Sequence, residues 1–123
     1  MKNLIITKKM LVIEAMEKLN QTAEKCLIVV NKNNQIIGTI TDGDIRRSIL
    51  SGKKFSETIE NSYCSTPIVL KEDEYNIETV ELILRKNKIN FVPILNSQNQ
   101  VVDYVTWHKI GIKKEDYSKS LNR

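Results

Sequence analysis

The stretch Gly38-Thr39-Ile40-Thr41-Asp42-Gly43-Asp44-Ile45-Arg46-Arg47 gathers the side chains best suited to holding a ligand. It lies where an apolar run ends and a helical pattern, Asp44 to Leu50 with a stop near Gly52, begins. Free backbone N–H groups and the helix dipole make such a junction attractive to an anion. Gly43 lets the backbone come close to a ligand. Thr41 can offer a hydroxyl to a phosphate, and Asp44 can accept hydrogen bonds from a ribose diol. Arg46 and Arg47 oppose the dipole in a first helical turn, so their placement makes more sense beside an anion. The same Thr-x-x-Asp spacing approximates an N-terminal capping box, which needs no ligand. A cap explains Thr41 and Asp44 but not Gly43 with two adjacent arginines, and at this level both readings stand.

Other candidates carry less chemistry. Glu72-Asp73-Glu74 opens a helical pattern and suits the dipole there without any catalytic role. His108 has no Ser or Cys nucleophile beside it in sequence. Cys26 leads an apolar run and reads as a small buried hydrophobe, while Cys64 sits in a polar connector. Neither thiol has a CxxC partner, so no structural metal is expected. There is no phosphate-cradling Walker loop and no dinucleotide fingerprint. These absences argue for a regulatory or ligand-sensing module rather than an enzyme.

The elements that must position this segment occur twice. With Leu19 placed on Leu84, the offset is 84 − 19 = 65, and it carries Asn31 to Asn96, Gln35 to Gln100, Thr41 to Thr106 and Ile45 to Ile110 without a gap. Val12, Ala15, Met16 and Leu19 fall on one helical face, and Ile77, Val80 and Leu84, with Ile83 beside them, repeat the pattern. Two apolar runs joined by an Asn-rich loop follow in each copy and read as a β-hairpin: Cys26–Val30 with Ile36–Ile40, then Phe91–Leu95 with Val101–Val105. Extended stretches, Leu4-Ile5-Ile6 and Ile68-Val69-Leu70, precede the two first helices. The predicted fold is α+β, a tandem pair of strand–helix–strand–strand–helix units packed through their sheets with pseudo-two-fold symmetry. The units span residues 3–52 and 66–112, with a linker over 53–65 and a polar tail or interdomain linker over 113–123. The final helix of the second copy has little support, because Gly111 follows its start directly.

A duplicated unit whose second hairpin strand runs into Gly-h-h-Thr-x-x-Asp (h, apolar) resembles the CBS-domain pair, or Bateman module, over about Asn3 to Ile110. The stretch from Gly38 to Arg47 is most similar to CBS pairs attached to sugar-nucleotide nucleotidyltransferases. A similar Thr-Asp-Gly-Asp segment occurs in those attached to sugar-phosphate isomerases. The resemblance implies clefts between the copies that hold an adenine nucleotide as regulatory ligand, with no cofactor required. It gives Asp44 the ribose hydroxyls and Thr41 a phosphate, with Ile40 and Ile45 lining the adjacent pocket. Asp42 and Gly43 belong to the same segment, Arg46 and Arg47 are phosphate contacts, and Thr66, Pro67 and Ile68 form the partner wall. The second copy departs from the pattern: Thr106 remains, but Gly38 becomes Asp103 and Asp44 becomes Lys109, which cannot accept from a ribose. Trp107 stands in place of Asp42, as a group that can fill or lid the cleft. The second site, with Thr106, His108 and Lys109, is therefore expected to be degenerate for adenosine ligands. The resemblance also implies a homodimer of CBS pairs and a nucleotidyltransferase, attached beyond Arg123 or acting as partner.

The chain of 123 residues is 41% hydrophobic and 28% charged, ordinary values for one soluble domain. Its formal net charge of +4 forms no dense stripe, so nucleic-acid binding rests on charge alone. No apolar run approaches the roughly 20 residues needed to cross a bilayer, and the N-terminal stretch lacks a signal-peptide pattern. A cytoplasmic location without a membrane partner is the expectation.

Overall fold

The computed structural model describes residues 1–111 of the chain. After a short 3-10 turn at Lys2–Leu4 come β1 (Ile5–Ile6), α1 (Val12–Gln21), β2 (Cys26–Val30), β3 (Ile36–Thr41) and α2 (Asp42–Leu50). The second unit runs β4 (Leu70–Lys71), α3 (Ile77–Lys86), β5 (Phe91–Leu95) and β6 (Val101–Thr106). From β1 to β3, each element of the first unit recurs 65 residues later, as in 26 + 65 = 91 for the starts of β2 and β5. The sheets have the orders β1-β2-β3 and β4-β5-β6. In each, a short strand pairs parallel with the middle strand, which pairs antiparallel with the last. The fold is the expected mixed α+β tandem.

Helix faces follow the apolar spacing. Val12, Ala15 and Leu19 of α1 are buried, as are Val80 and Leu84 of α3. Ile77 departs from the pattern: it is 61% exposed, on the first turn of α3 just after its Asn76 cap. Every residue of β2 and β5 is buried, as expected for middle strands covered on both faces. The main core runs through both units, since Phe91, Leu95 and Val101 pack with Leu4, Leu27, Ile28 and Ile40. A smaller cluster in the second unit joins Val80, Leu84, Val92, Ile94, Val105 and Trp107.

Several boundaries differ from the sequence reading: Leu4 belongs to the 3-10 turn rather than to β1, and α2 begins at Asp42 rather than Asp44. Ile68 and Val69 lie outside β4, which begins at Leu70: Ile68 lines a cavity, and Val69 packs against the main core. Residues 107–111 are turns rather than a helix, so the second unit does not repeat α2 among the described residues. The connector after α2 is not a bare linker. Ile59 within it is fully buried, Thr58 pairs with Leu11, and Cys64 pairs with Thr39 at the open edge of β3. The tail expected over 113–123 lies outside the described residues.

Candidate functional site

Thr41 is the N-cap of α2, and its extended backbone turns the end of β3 into the helix. The backbone N–H of Asp44 reaches Thr41 Oγ1 at 3.4 Å. In return Asp44 Oδ2 accepts from the Thr41 N–H at 2.9 Å and from its hydroxyl at 3.1 Å. Asp44 Oδ1 accepts from Arg47 Nη2 at 2.7 Å. The capping box is therefore complete within the protein, and the carboxylate of Asp44 already has three donors.

Beside this cap lies a cavity of about 510 Å³ between the two units. The first unit contributes Thr39, Thr41, Asp42 and Gly43 from the β3–α2 junction, with Glu24, Lys25 and Cys26 from the approach to β2. The connector adds Cys64, Thr66, Pro67 and Ile68. Ile89, Asn90, Phe91 and Pro93 of the second unit close the far side. The volume falls within the range of small-molecule sites, and its walls mix apolar surface with a few polar groups.

The structure thus brings Thr41, Asp42 and Gly43 together with Thr66, Pro67 and Ile68. It does not place Ile40 and Ile45 on the cavity as expected. They are 0% and 2% exposed and belong to the core, because inward-facing positions on β3 and α2 pack against the sheet. Asp44 is also absent from the cavity wall, since its carboxylate is turned into the cap; with Arg47 it borders a shallower polar depression instead. Arg46 and Arg47 do not line the main cavity either. Their guanidinium groups gather near Gly43, where an added Cβ would stand 3.4 Å from Arg47 Nη1 and 3.7 Å from Arg46 Nη2. Arg47 is paired with Asp44 at 2.7 Å, and Asp42 and Glu24 line the cavity beside them.

Sequence reasoning noted Gly38 only as part of the family pattern, and missed Cys64, Glu24 and Phe91. A Cβ on Gly38 would collide with the Cys64 carbonyl and the Tyr63 ring, so glycine is required for the connector to pair with β3. The Thr39–Cys64 backbone pair, with hydrogen bonds of 3.1 and 2.8 Å, holds the connector wall against the junction. The glycine itself was the available signal. Burial, then the charges of Asp44 and Cys64, push the Cys26 thiol up to about 12. It is a neutral wall group.

The corresponding junction of the second unit is built differently. Thr106 is buried, and its hydroxyl accepts from the Lys109 N–H at 3.2 Å, so the cap survives without the carboxylate. Trp107 is 7% exposed and packs in the smaller core. Lys109 Nζ donates to Asp103 Oδ1 at 2.7 Å and lies 4.1 Å from the Tyr104 ring centroid. Burial raises the Asp103 carboxyl, but the Lys109 hydrogen bond, the Tyr104 N–H and the Lys109 charge hold it below its ordinary value. His108 is exposed.

Comparison with known proteins agrees with this architecture. The CBS domain family matches residues 1–51, a span that contains the whole of β3 and the α2 cap. A probable arabinose 5-phosphate isomerase of Haemophilus influenzae is 32% identical over 79 residues, covering 63% of this chain and 23% of that protein. An arabinose 5-phosphate isomerase of Salmonella typhi is 26% identical over 90 residues, covering 73% of this chain and 28% of its own length. The chain thus spans about a quarter of the length of these curated relatives. Among solved structures, CBSX2 in complex with AMP superposes with a TM-score of 0.75 at 19% identity, covering 99% of this chain and 92% of that one. The CBS domain pair of protein MJ0100, in complex with 5-methylthioadenosine and S-adenosyl-L-methionine, gives 0.72 at 25% identity, covering 96% and 90%. The family match falls on the first unit, and the chain as a whole has the fold seen in tandem CBS pairs.

Proposed function

We propose that this chain is a regulatory module that binds an adenine nucleotide, such as AMP, ADP or ATP, in the cavity between its two units. The observation that carries this reading is the convergence of Thr41, Asp42 and Gly43 with Thr66, Pro67 and Ile68 around one space of about 510 Å³. Phe91 offers a face for a base, and the free N–H groups of the first α2 turn, with Arg46 and Arg47 near Gly43, suit a phosphate. Asp44, fixed by the cap, keeps acceptor capacity for a ribose hydroxyl if the Arg47 contact opens. The AMP, 5-methylthioadenosine and S-adenosyl-L-methionine in the structurally similar proteins share an adenosine group, which supports the same ligand class here.

The regulated activity is a sugar-phosphate or sugar-nucleotide enzyme. The isomerase relatives favour a sugar-phosphate isomerase, while the Gly38–Arg47 segment supports a nucleotidyltransferase. Isothermal titration with AMP, ADP, ATP and sugar nucleotides tests the binding, with Asp44→Ala as control. No heat at millimolar ligand overturns it, whereas unchanged affinity in the variant removes only the Asp44 contact.

A second reading, a dimerisation module without ligand, is favoured by two observations. The Thr41–Asp44 cap is complete by itself. Leu50, Ile77, Leu82 and Phe55 are also 80%, 61%, 54% and 50% exposed, apolar area that a second copy of the chain could cover. A stable dimer by sedimentation whose melting temperature ignores nucleotides would select this reading.

A further inference from the structure

Two walls of the cavity meet at a residue that does not itself line it. Glu24 and Phe91 face the cavity, and Tyr104 on β6 touches both. Its hydroxyl donates to Glu24 Oε1 at 3.3 Å, and its ring stacks on Phe91 with centroids 5.0 Å apart and planes 13° from parallel. The hydrogen bond joins the units, because Glu24 follows α1 of the first while Tyr104 belongs to the second. Lys109 lies over the same ring at 4.1 Å and is anchored on Asp103 at 2.7 Å. Lys109 sits in the turns at 107–111, and the neighbouring Trp107 is packed against Val80 and Leu84 of α3. A short run of direct contacts therefore leads from the cavity wall to the turn that follows the last strand.

We propose that Tyr104 is a coupling residue that transmits occupancy of the cavity to the turn at residues 107–111. The inference rests on the nucleotide-binding reading above. A ligand amine or hydroxyl that reaches Glu24 competes for the carboxylate with the long Tyr104 hydrogen bond. A base placed against Phe91 bears on the stack that holds the Tyr104 ring. Either contact gives the ligand different free energies in two Tyr104 arrangements, which is the condition for shifting their populations. The cation–π contact and the Asp103 bond then tie the ring's position to Lys109. The same contacts explain why Lys109 and Asp103 stand where the first unit has its ribose carboxylate and glycine: they serve the Tyr104 ring instead of a second nucleotide.

Trp107 is the only tryptophan of the chain and reports on this turn directly. AMP, ADP and ATP are titrated into the 123-residue chain while tryptophan emission and calorimetric heat are followed in parallel. The wild type should bind and shift its emission with one midpoint. Tyr104→Phe keeps the stack and loses only the hydroxyl, so it should bind within about tenfold, the scale of one hydrogen bond, with a reduced emission shift. Tyr104→Leu and Lys109→Met should bind and lose the shift, with circular dichroism confirming the fold. Binding with a silent tryptophan, or an undiminished shift in all three variants, overturns the coupling alone. Absence of calorimetric binding in the wild type overturns the nucleotide reading and the coupling with it.

Discussion

Gln35 and Gln100 face each other across the pseudo-two-fold axis as an isolated antiparallel bridge between the two hairpin turns. Each carboxamide donates to the opposite turn: Gln35 Nε2 to the Gln98 carbonyl at 2.9 Å, and Gln100 Nε2 to the Asn33 carbonyl at 2.9 Å. Backbone bonds Ile36 N to Asn99 O at 3.0 Å and Val101 N to Asn34 O at 3.1 Å flank them. Asn34 and Asn99 adopt positive φ of 62° and 64°, and Asn31 and Asn96 accept from the same positions of their own turns. Equal turns thus form a reciprocal clasp between the units. Gln35→Ala and Gln100→Ala should each cost about 1 kcal/mol in urea unfolding, and the pair should be non-additive because both hold one clasp. Values near zero would assign the clasp to its backbone bonds alone.

The two glycines of the ligand segment should respond oppositely to alanine. Gly38→Ala forces a methyl into the Cys64 carbonyl and the Tyr63 ring, so a loss of about 1–3 kcal/mol is expected, with weakened nucleotide binding as the connector wall moves. At Gly43 the nearest atoms are arginine tips at 3.4 Å or more, and the residue lies inside α2. Gly43→Ala should leave thermal stability unchanged or raised while reducing nucleotide affinity. Equal melting temperatures for the two variants would contradict the packing described.

Asp44 and Arg47 separate cap from ligand. Asp44→Ala removes the acceptor for the Thr41 N–H and for Arg47, and should cost about 1 kcal/mol in stability. Nucleotide affinity should fall by roughly tenfold or more, the scale of a hydrogen bond to a charged group. Arg47 is 68% exposed, so Arg47→Ala should alter stability by no more than about 0.5 kcal/mol. It should weaken ADP more than adenosine, as titration of both ligands would reveal.

The cysteines differ in environment. Cys64 is exposed and should react with a disulfide reagent at pH 8, whereas Cys26 is buried with a thiol pushed up to about 12 and should react only on unfolding. Between pH 9 and about 12 the unfolded chain loses the Cys26 proton while the folded one keeps it. This contribution to stability is therefore full below pH 9 and falls as pH rises through that window. Cys26→Ala should flatten the decline in urea midpoints; an unchanged slope would show that the buried thiol is not its source.

The sequence was most legible where one physical rule acted alone. Hairpin limits followed from apolar runs bounded by Asn-rich turns, and the α1 and α3 faces from their spacing, except at Ile77. The site was legible in part. Thr41, Asp42, Gly43, Thr66, Pro67 and Ile68 meet around the cavity, but Ile40 and Ile45, which the family resemblance gave to the pocket, face the core, and in sequence an apolar residue reads the same whether it faces ligand or core. Direction is settled by packing.

Local composition and the 65-residue offset determined by themselves the α+β repeat and the replacement of Asp44 by Lys109 in the second copy, and left the Thr41–Asp44 junction open between cap and ligand site. Only tertiary structure decided that the Asp44 carboxylate completes the cap and bonds Arg47, and that Gly38 exists to admit Cys64. It also decided that Tyr104 spans the units to Glu24, 80 residues away in sequence. These last relations join segments with no shared periodicity, and a contact that depends on how two sheets pack leaves no spacing in the chain to read.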